Sequence, residues 1–244
     1  MKVFTVTGLS GSGKTTVIEN IIRELVRRGY TVGTVKEIHN EAFRMDTEGK
    51  NTYRHRMAGA DTVTARAYHE TDILMKGHAD IYELLKLYKE DYVILEGVSD
   101  ANVMEIAVSK EDGSPAISGR TFCVSGRYAN RHTEYMGLPV INAVTDTARL
   151  VDLLEKLTLP LVPDVDVECC GECGTDCKSL LAEYVKEGKG IERCKVLRNN
   201  IKLTVNGKPV QMVPFVQNIL KNAVLAVVSE LKGYEKNAKI KVEL

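Results

Sequence analysis

The chain has 244 residues, 44% of them apolar and 27% charged, and its Lys+Arg and Asp+Glu counts are equal at 33. That length fits one large α/β domain or a domain with an appendage, and the balanced charge speaks against a nucleic-acid binder. No apolar run approaches the ~18 residues of a membrane span and Met1–Val6 is too short for a signal peptide, so a cytoplasmic protein without membrane or nucleic-acid partners is expected.

Val3–Thr7 reads as a buried strand, followed by the Gly/Ser loop "GLSGSGKTT" and by "KTTVIENIIRELVRRG". In the latter, Val17, Ile18, Ile21, Ile22, Leu25 and Val26 recur at helical spacing and Gly29 closes the helix. Thr31–Lys36 is a second strand, which completes a βαβ unit. The loop satisfies G-x-x-x-x-G-K-[ST] in the strand–loop–helix context that the motif requires. Gly8, Ser10, Gly11, Ser12, Gly13, Lys14, Thr15 and Thr16 are therefore the expected nucleotide-binding residues. Their backbone N–H groups and the helix dipole suit a β-phosphate. Lys14 bridges β- and γ-phosphates, and Thr15 holds Mg²⁺.

His39–Asn51 reads as a long surface loop, "DTVTARA" as a short strand and "ADIYELLKLY" as a helix. Arg54, His55, Arg56 and Arg66 read as a solvated or phosphate-facing set. The strong buried strand "DYVILEG" ends in Glu96, where a carboxylate for the Mg²⁺ is needed, and Asp46 in the long loop is a second candidate. With Lys14, Glu96 is the expected catalytic group; no convincing general base is present, so any hydrolysis is expected to be weak. Further strands are expected at "EIAVS", "TFCVSG" and "LPVINAV", with Cys123 as a core residue, then the helix "DTARLVDLLEKL" capped by Asp146. The alternation predicts a doubly wound, mostly parallel sheet. "NAVTD" (Asn142–Asp146) sits where a base-reading loop often lies, but N-K-x-D is absent and the residues leave GTP against ATP open.

"TLPLVPDVDVE" reads as a linker, which divides a nucleotide-binding domain, 1–160, from a small Cys-rich α+β module, 161–244. Within the module, Cys170-x₂-Cys173-x₃-Cys177-x₁₆-Cys194 is the pattern to explain, with Cys169 as a possible substitute. Three clustered thiolates and one remote suit a [4Fe–4S] cluster more than the paired C-x₂-C of zinc sites. Zinc and free thiols remain alternatives. "IKLTVNGKPVQMV" predicts a hairpin at Asn206-Gly207, "FVQNILKNAVLAVVSELKG" a long apolar helix that serves as core or dimer face, and "KIKVEL" a last strand.

The phosphate loop, "DTEGKNTYRHRMAGA" and "YVILEGV" together resemble the molybdopterin-guanine dinucleotide biosynthesis protein B (MobB) family of P-loop NTPases. Asp46, Gly49, Lys50, Tyr53, Arg54, Ala58, Gly59, Ala60, Glu96 and Gly97 carry the likeness, over roughly residues 1–110. Two positions depart from it: "KEIHNE" keeps only His39 of a His-rich stretch, and Asn51 stands where an acidic residue is common. The resemblance implies a GTP-binding homodimer that assists attachment of a guanine nucleotide to molybdopterin, as an adaptor beside the guanylyltransferase or molybdo/tungsto-enzyme maturation proteins. It places Lys50, Tyr53 and Arg54 near the nucleotide or the pterin-bearing partner.

"CGECGTDCKSLLAEYVKEGKGIERC" resembles the four-cysteine cluster domain of the corrinoid iron–sulfur protein and RnfB-type subunits, with one residue fewer between the second and third cysteines. Leu180, Leu181, Tyr184 and Val185 would be the packed face of its helix. A nucleotide-driven metallochaperone that delivers a cluster or metal to an apo-enzyme is the alternative function, and a small-molecule kinase a third.

Overall fold

The computed structural model describes residues 1–162, 173–194, 197, 201, 203–205, 208–210, 212, 214–235 and 240. The chain forms two compact units, Met1–Leu161 and Val162–Leu244. In the first, β1 (Lys2–Thr7) leads through α1 (Lys14–Arg27) to β2 (Val32–Lys36). Next come α2 (Asn51–Met57), β3 (Thr62–Arg66), β4 (Thr71–Met75), α3 (Ile81–Leu85) and β5 (Tyr92–Glu96). Then follow β6 (Met104–Ser109), β7 (Thr121–Gly126), β8 (Glu134–Tyr135), β9 (Leu138–Pro139) and α4 (Thr147–Leu157).

Five of these strands form one parallel sheet in the order β2-β5-β1-β6-β7. The central strands are buried along their length rather than alternating between buried and exposed positions, as a sheet covered on both faces requires. α1 and α4 contact each other through one layer and bury Val17, Ile18, Ile21, Leu25, Leu150, Val151 and Leu154. On the other face Ile81 and Leu85 of α3 pack with Val3, Val93 and Leu95. At ~1.5–3 kcal/mol for each fully buried aliphatic side chain, these two layers are the main source of stability.

The expected alternation of strand and helix fails in two places. β5 reaches β6 through residues 97–103, and β6 reaches β7 through 110–120, both without a helix. In the first connection Val98, Ala101 and Val103 enter the core directly. Its backbone is satisfied locally: the Thr5 hydroxyl donates to the carbonyl of Val98 (2.8 Å), and the Asn102 N–H to the Tyr82 hydroxyl (2.8 Å). A buried coil thus takes the place of a helix.

Between β2 and β5 lies a segment outside the main sheet. Among the described residues β3 and β4 pair only with each other, antiparallel, from Thr62↔Met75 to Arg66↔Thr71. "LPVINAV" is not a continuous strand: Leu138–Pro139 pairs with β8, and Val140 makes a single bridge to Val124. Asp146 occupies the N-terminal position of α4, but its side chain makes no capping hydrogen bond and instead faces Arg149 at 3.6 Å.

In the second unit, α5 (Cys177–Glu187) begins at Asp176, whose Oδ1 accepts from Ser179 N (2.9 Å), and ends at Gly188 with φ 67. It buries Leu180 and Leu181, whereas Tyr184 and Val185 are half-buried. β10 (Leu203–Val205) pairs antiparallel with β11 (Lys208–Val210), and α6 (Pro214–Val228) follows. Phe215, Val216, Ile219 and Val227 of α6 are exposed. The expected turn Asn206-Gly207, most of the linker and most of the last strand lie outside the described residues.

One tie between α1 and α4 yields a pH prediction. Arg28 holds Glu24 (2.8 Å), Asp152 (2.8 Å) and Glu155 (2.5 Å) and donates to the carbonyl of Ala148 (3.0 Å). Hydrogen bonds from Arg27, and next from Arg28, hold the Glu24 carboxyl down to about 2 from its ordinary 4.5. A depressed carboxyl stabilises the fold fully above the unfolded value and loses that contribution as the pH falls towards the folded one. Thermal melts of Glu24→Gln should therefore fall less steeply than wild type between about pH 4.5 and about pH 2. Parallel curves would show that this tie carries no acid sensitivity.

Candidate functional site

The glycine-rich loop leaves the C-terminal end of the central strand and enters α1 at Lys14. Gly8 has φ 141 and passes so close beneath β6 that a Cβ would lie 2.0 Å from the carbonyl oxygen of Val108. Only glycine fits there. Gly13, at φ 101, is the N-terminal cap; it offers no side chain to the first turn, and no acidic residue stands in that turn. The first N–H groups of α1 therefore face outward without a protein acceptor of that kind, which suits an anion.

Ser12 is buried, and its hydroxyl donates to Leu9 O at 2.8 Å, so the loop closes on itself. Its carbonyl accepts from the N–H of Arg127 at 3.2 Å, and Gly126 (φ 82) lies so near that a Cβ would sit 2.7 Å from that oxygen. The end of β7 is thus the seat of the loop. Lys14 Nζ donates to the carbonyls of Gly8 (2.7 Å) and Leu9 (2.9 Å). Ser10, Gly11, Thr15 and Thr16 are exposed.

Glu96 ends β5, the neighbour of β1, in register with Val6, so its carboxylate stands at the same end of the sheet as the loop. It accepts from Lys36 Nζ at 3.2 Å. Beside it Glu37 pairs with His78 at 3.1 Å. Asp46 is engaged elsewhere: its Oδ1 accepts from Thr52 Oγ1 (2.9 Å) and Thr47 N (3.0 Å), and its buried Oδ2 lies 4.0 Å from Arg56. Those contacts organise the entry to α2. Lys50 and Arg54 are exposed, Tyr53 is half-buried, and α2 buries no side chain.

A second carboxylate under the loop was not foreseen. Glu105, in the buried strand β6, accepts hydrogen bonds from the hydroxyls of Thr7, Ser118 and Thr121 (2.8 Å for Thr121). Three donors satisfy a charge that would otherwise be costly at that depth, and they tie the last residue of β1 to its neighbour.

The cysteines divide into two groups. Burial pushes the Cys123 thiol up to about 12, as an inert core residue requires. Cys173 Sγ contacts Thr175 O at 3.1 Å, Cys177 opens α5 and Cys194 is buried. Among the described residues no three of His, Cys, Asp and Glu are grouped to hold a metal ion. Cys169 and Cys170 lie outside those residues. No helix among the described residues is long and apolar enough to cross a membrane.

A parallel sheet that carries this loop at the end of its central strand, with a carboxylate on the adjacent strand, defines the P-loop class of nucleotide-binding proteins. The profile of the family described as molybdopterin guanine dinucleotide synthesis protein B matches residues 3–121. A candidate molybdopterin-guanine dinucleotide biosynthesis adapter protein of Methanocaldococcus jannaschii is 30% identical over 252 aligned positions, which cover 100% of this chain and 97% of that protein. The chain belongs to this family. A candidate adapter of the same kind from Bacillus subtilis is 29% identical over 147 positions, covering 58% of this chain and 85% of that protein. The crystal structure of Bacillus subtilis MobB matches with a TM-score of 0.53 at 26% identity, over 64% of this chain and 98% of that one. Over a third of this chain thus lies beyond that structure, whereas the archaeal relative aligns along its full length.

Proposed function

We propose that the chain binds GTP with Mg²⁺ through Gly8–Thr16 and serves as an adapter when a guanine nucleotide is attached to molybdopterin, in molybdenum or tungsten cofactor biosynthesis. The observation that carries this reading is the loop itself: Gly8 and Gly13 in left-handed backbone, and a helix start with neither a capping side chain nor an acidic residue in its first turn. The adapter role is supported by the names of the relatives. Thr15 and Glu96 offer hard oxygen donors, which fit Mg²⁺. Asp46 assists at a distance by holding the segment around Lys50, Tyr53 and Arg54 in place. Hydrolysis is weak, and the catalytic groups are Lys14 and Glu96.

Residues 1–160 form the nucleotide domain and 161–244 the Cys-rich module in this reading. A [4Fe–4S] cluster on Cys170, Cys173, Cys177 and Cys194, with Cys169 as substitute, is supported by cysteine spacing and not by an assembled site. A homodimer is supported by the side ribbon: α2 buries nothing, Met57 is 68% and Ile73 50% exposed, and the edges of β3–β4 are unpaired among the described residues. The clients are the guanylyltransferase and maturation proteins of molybdo- or tungsto-enzymes.

The test is calorimetry of anaerobically purified full-length protein with Mg·GTP and Mg·ATP, with iron and sulfide analysis and light scattering on the same sample. Saturable GTP binding, about four irons per chain and a dimeric mass are expected. No binding of either nucleotide would overturn the adapter reading, and zinc without sulfide would remove the cluster.

A further inference from the structure

The Mg²⁺ partner and the seat of the phosphate loop lie on opposite sides of the central strand. Glu96 ends β5, on one flank of β1; β6 and β7 lie on the other. With Mg²⁺ and the terminal phosphate held on the Glu96 side, the remainder of the nucleotide projects towards the end of β7. Arg127 stands there. Its N–H is bonded to Ser12 O (3.2 Å), and a Cβ on Gly13 would lie 3.7 Å from Gly126 Cα and 3.9 Å from Arg127 Cγ. Its backbone is thus tied to the loop, and its side chain starts beside Gly13 and is exposed.

That guanidinium is uncommitted. Glu111 and Asp112, the two acidic residues just beyond β6, are both held by Arg131. Among the described residues, the Arg127 side chain has neither a salt bridge nor a hydrogen bond. The wall next to it is fixed. Asn142 Nδ2 donates to Asn130 Oδ1 (3.0 Å), which joins the turn Arg127–Asn130 to the loop before α4. Asn142 Oδ1 accepts from the N–H groups of Val144 (2.9 Å) and Thr145 (3.3 Å). The Asn142 amide is therefore spent on its own loop rather than free to read a base.

We infer that Arg127 is the nucleoside-binding residue of this site: its planar guanidinium lies against the face of the purine base while its backbone N–H anchors the phosphate loop. The inference rests on the nucleotide reading of Gly8–Thr16. A flat, weakly hydrated cation stacks on an aromatic face in a way that a lysine ammonium does not. Stacking of this kind holds either purine, so selection of guanine falls to edge contacts from neighbouring backbone.

The experiment compares wild type and Arg127→Ala for Mg·GTP and for Mg·tripolyphosphate, a probe with the phosphates and no base. Arg127→Ala should bind GTP about 5- to 30-fold more weakly and tripolyphosphate as wild type does, with an unchanged melting temperature because the backbone anchor remains. Equal GTP affinity would overturn the inference, as would an equal loss for both ligands, which would place the guanidinium on phosphate. If wild type binds neither ligand, the nucleotide reading itself fails.

Discussion

Gly8→Ala should both destabilise the first unit and abolish nucleotide binding. A Cβ at this position would stand 2.0 Å from Val108 O, 3.0 Å from Val108 C and 3.2 Å from Ser12 Oγ, and the backbone holds φ 141, a region that side chains rarely adopt. The neighbour it meets is backbone of the buried strand β6, with no flexible end that could yield. The loop must therefore lift off the sheet, at a cost of about 3 kcal/mol from overpacking and backbone strain. For a unit of this size that lowers the melting temperature by roughly 6–12 °C. Lifting also breaks the aim of the N–H groups between Gly8 and Gly13, so GTP titration should show no saturation. A Gly8→Ala protein that bound GTP as wild type does would mean that the loop does not hold the phosphates.

Lys14→Ala should separate the two effects. In the free protein Nζ rests on the carbonyls of Gly8 and Leu9, both at the exposed rim of the loop, so its removal leaves groups that water can satisfy. Stability should change by less than about 1 kcal/mol. Binding is another matter. In the proposed complex Nζ exchanges those two carbonyls for β- and γ-phosphate oxygens, and charge-assisted bonds of that kind are worth ~1.5–3 kcal/mol each. Affinity for Mg·GTP should fall on the order of 100- to 1,000-fold, as read by calorimetry, with an unshifted thermal melt. A loss under about tenfold would show that backbone N–H groups alone carry the phosphates.

The sequence disclosed the loop and its helix because their signals are local: glycines at fixed offsets, then Val17, Ile18, Ile21 and Leu25 on one face. It was silent where the determinant is remote. The seat of the loop on Gly126 and Arg127 is a contact across more than a hundred residues, and no pattern near either partner announces it. Glu105 sits in "MEIAVS", which reads as an ordinary buried strand; its role is visible only once Thr7, Ser118 and Thr121 surround it. α2 has no apolar period because it buries nothing, and β4 carries no hairpin signal because its turn, 67–70, contains neither Gly, Pro nor Asn. The seven-residue passage 97–103 escaped the expected strand–helix alternation, since a connection of parallel strands usually needs a dozen residues or more. The module's cysteines are legible as a pattern, but spacing alone does not assemble four sulfurs.

The strand order also bears on how the chain is made. β1 and β2 emerge first from the ribosome, yet they never touch in the finished sheet; β5 lies between them and β6 closes the other side. Until Tyr92–Glu96 has been synthesised, the two earliest strands face an empty lane. At ~5–20 residues per second this leaves several seconds of exposed apolar edge. The phosphate loop waits longer still, because Val108 roofs it and Gly126 seats it. Nascent chains that end before residue 127 thus lack the far wall of the site, and nucleotide capture marks the completion of the first unit rather than its beginning.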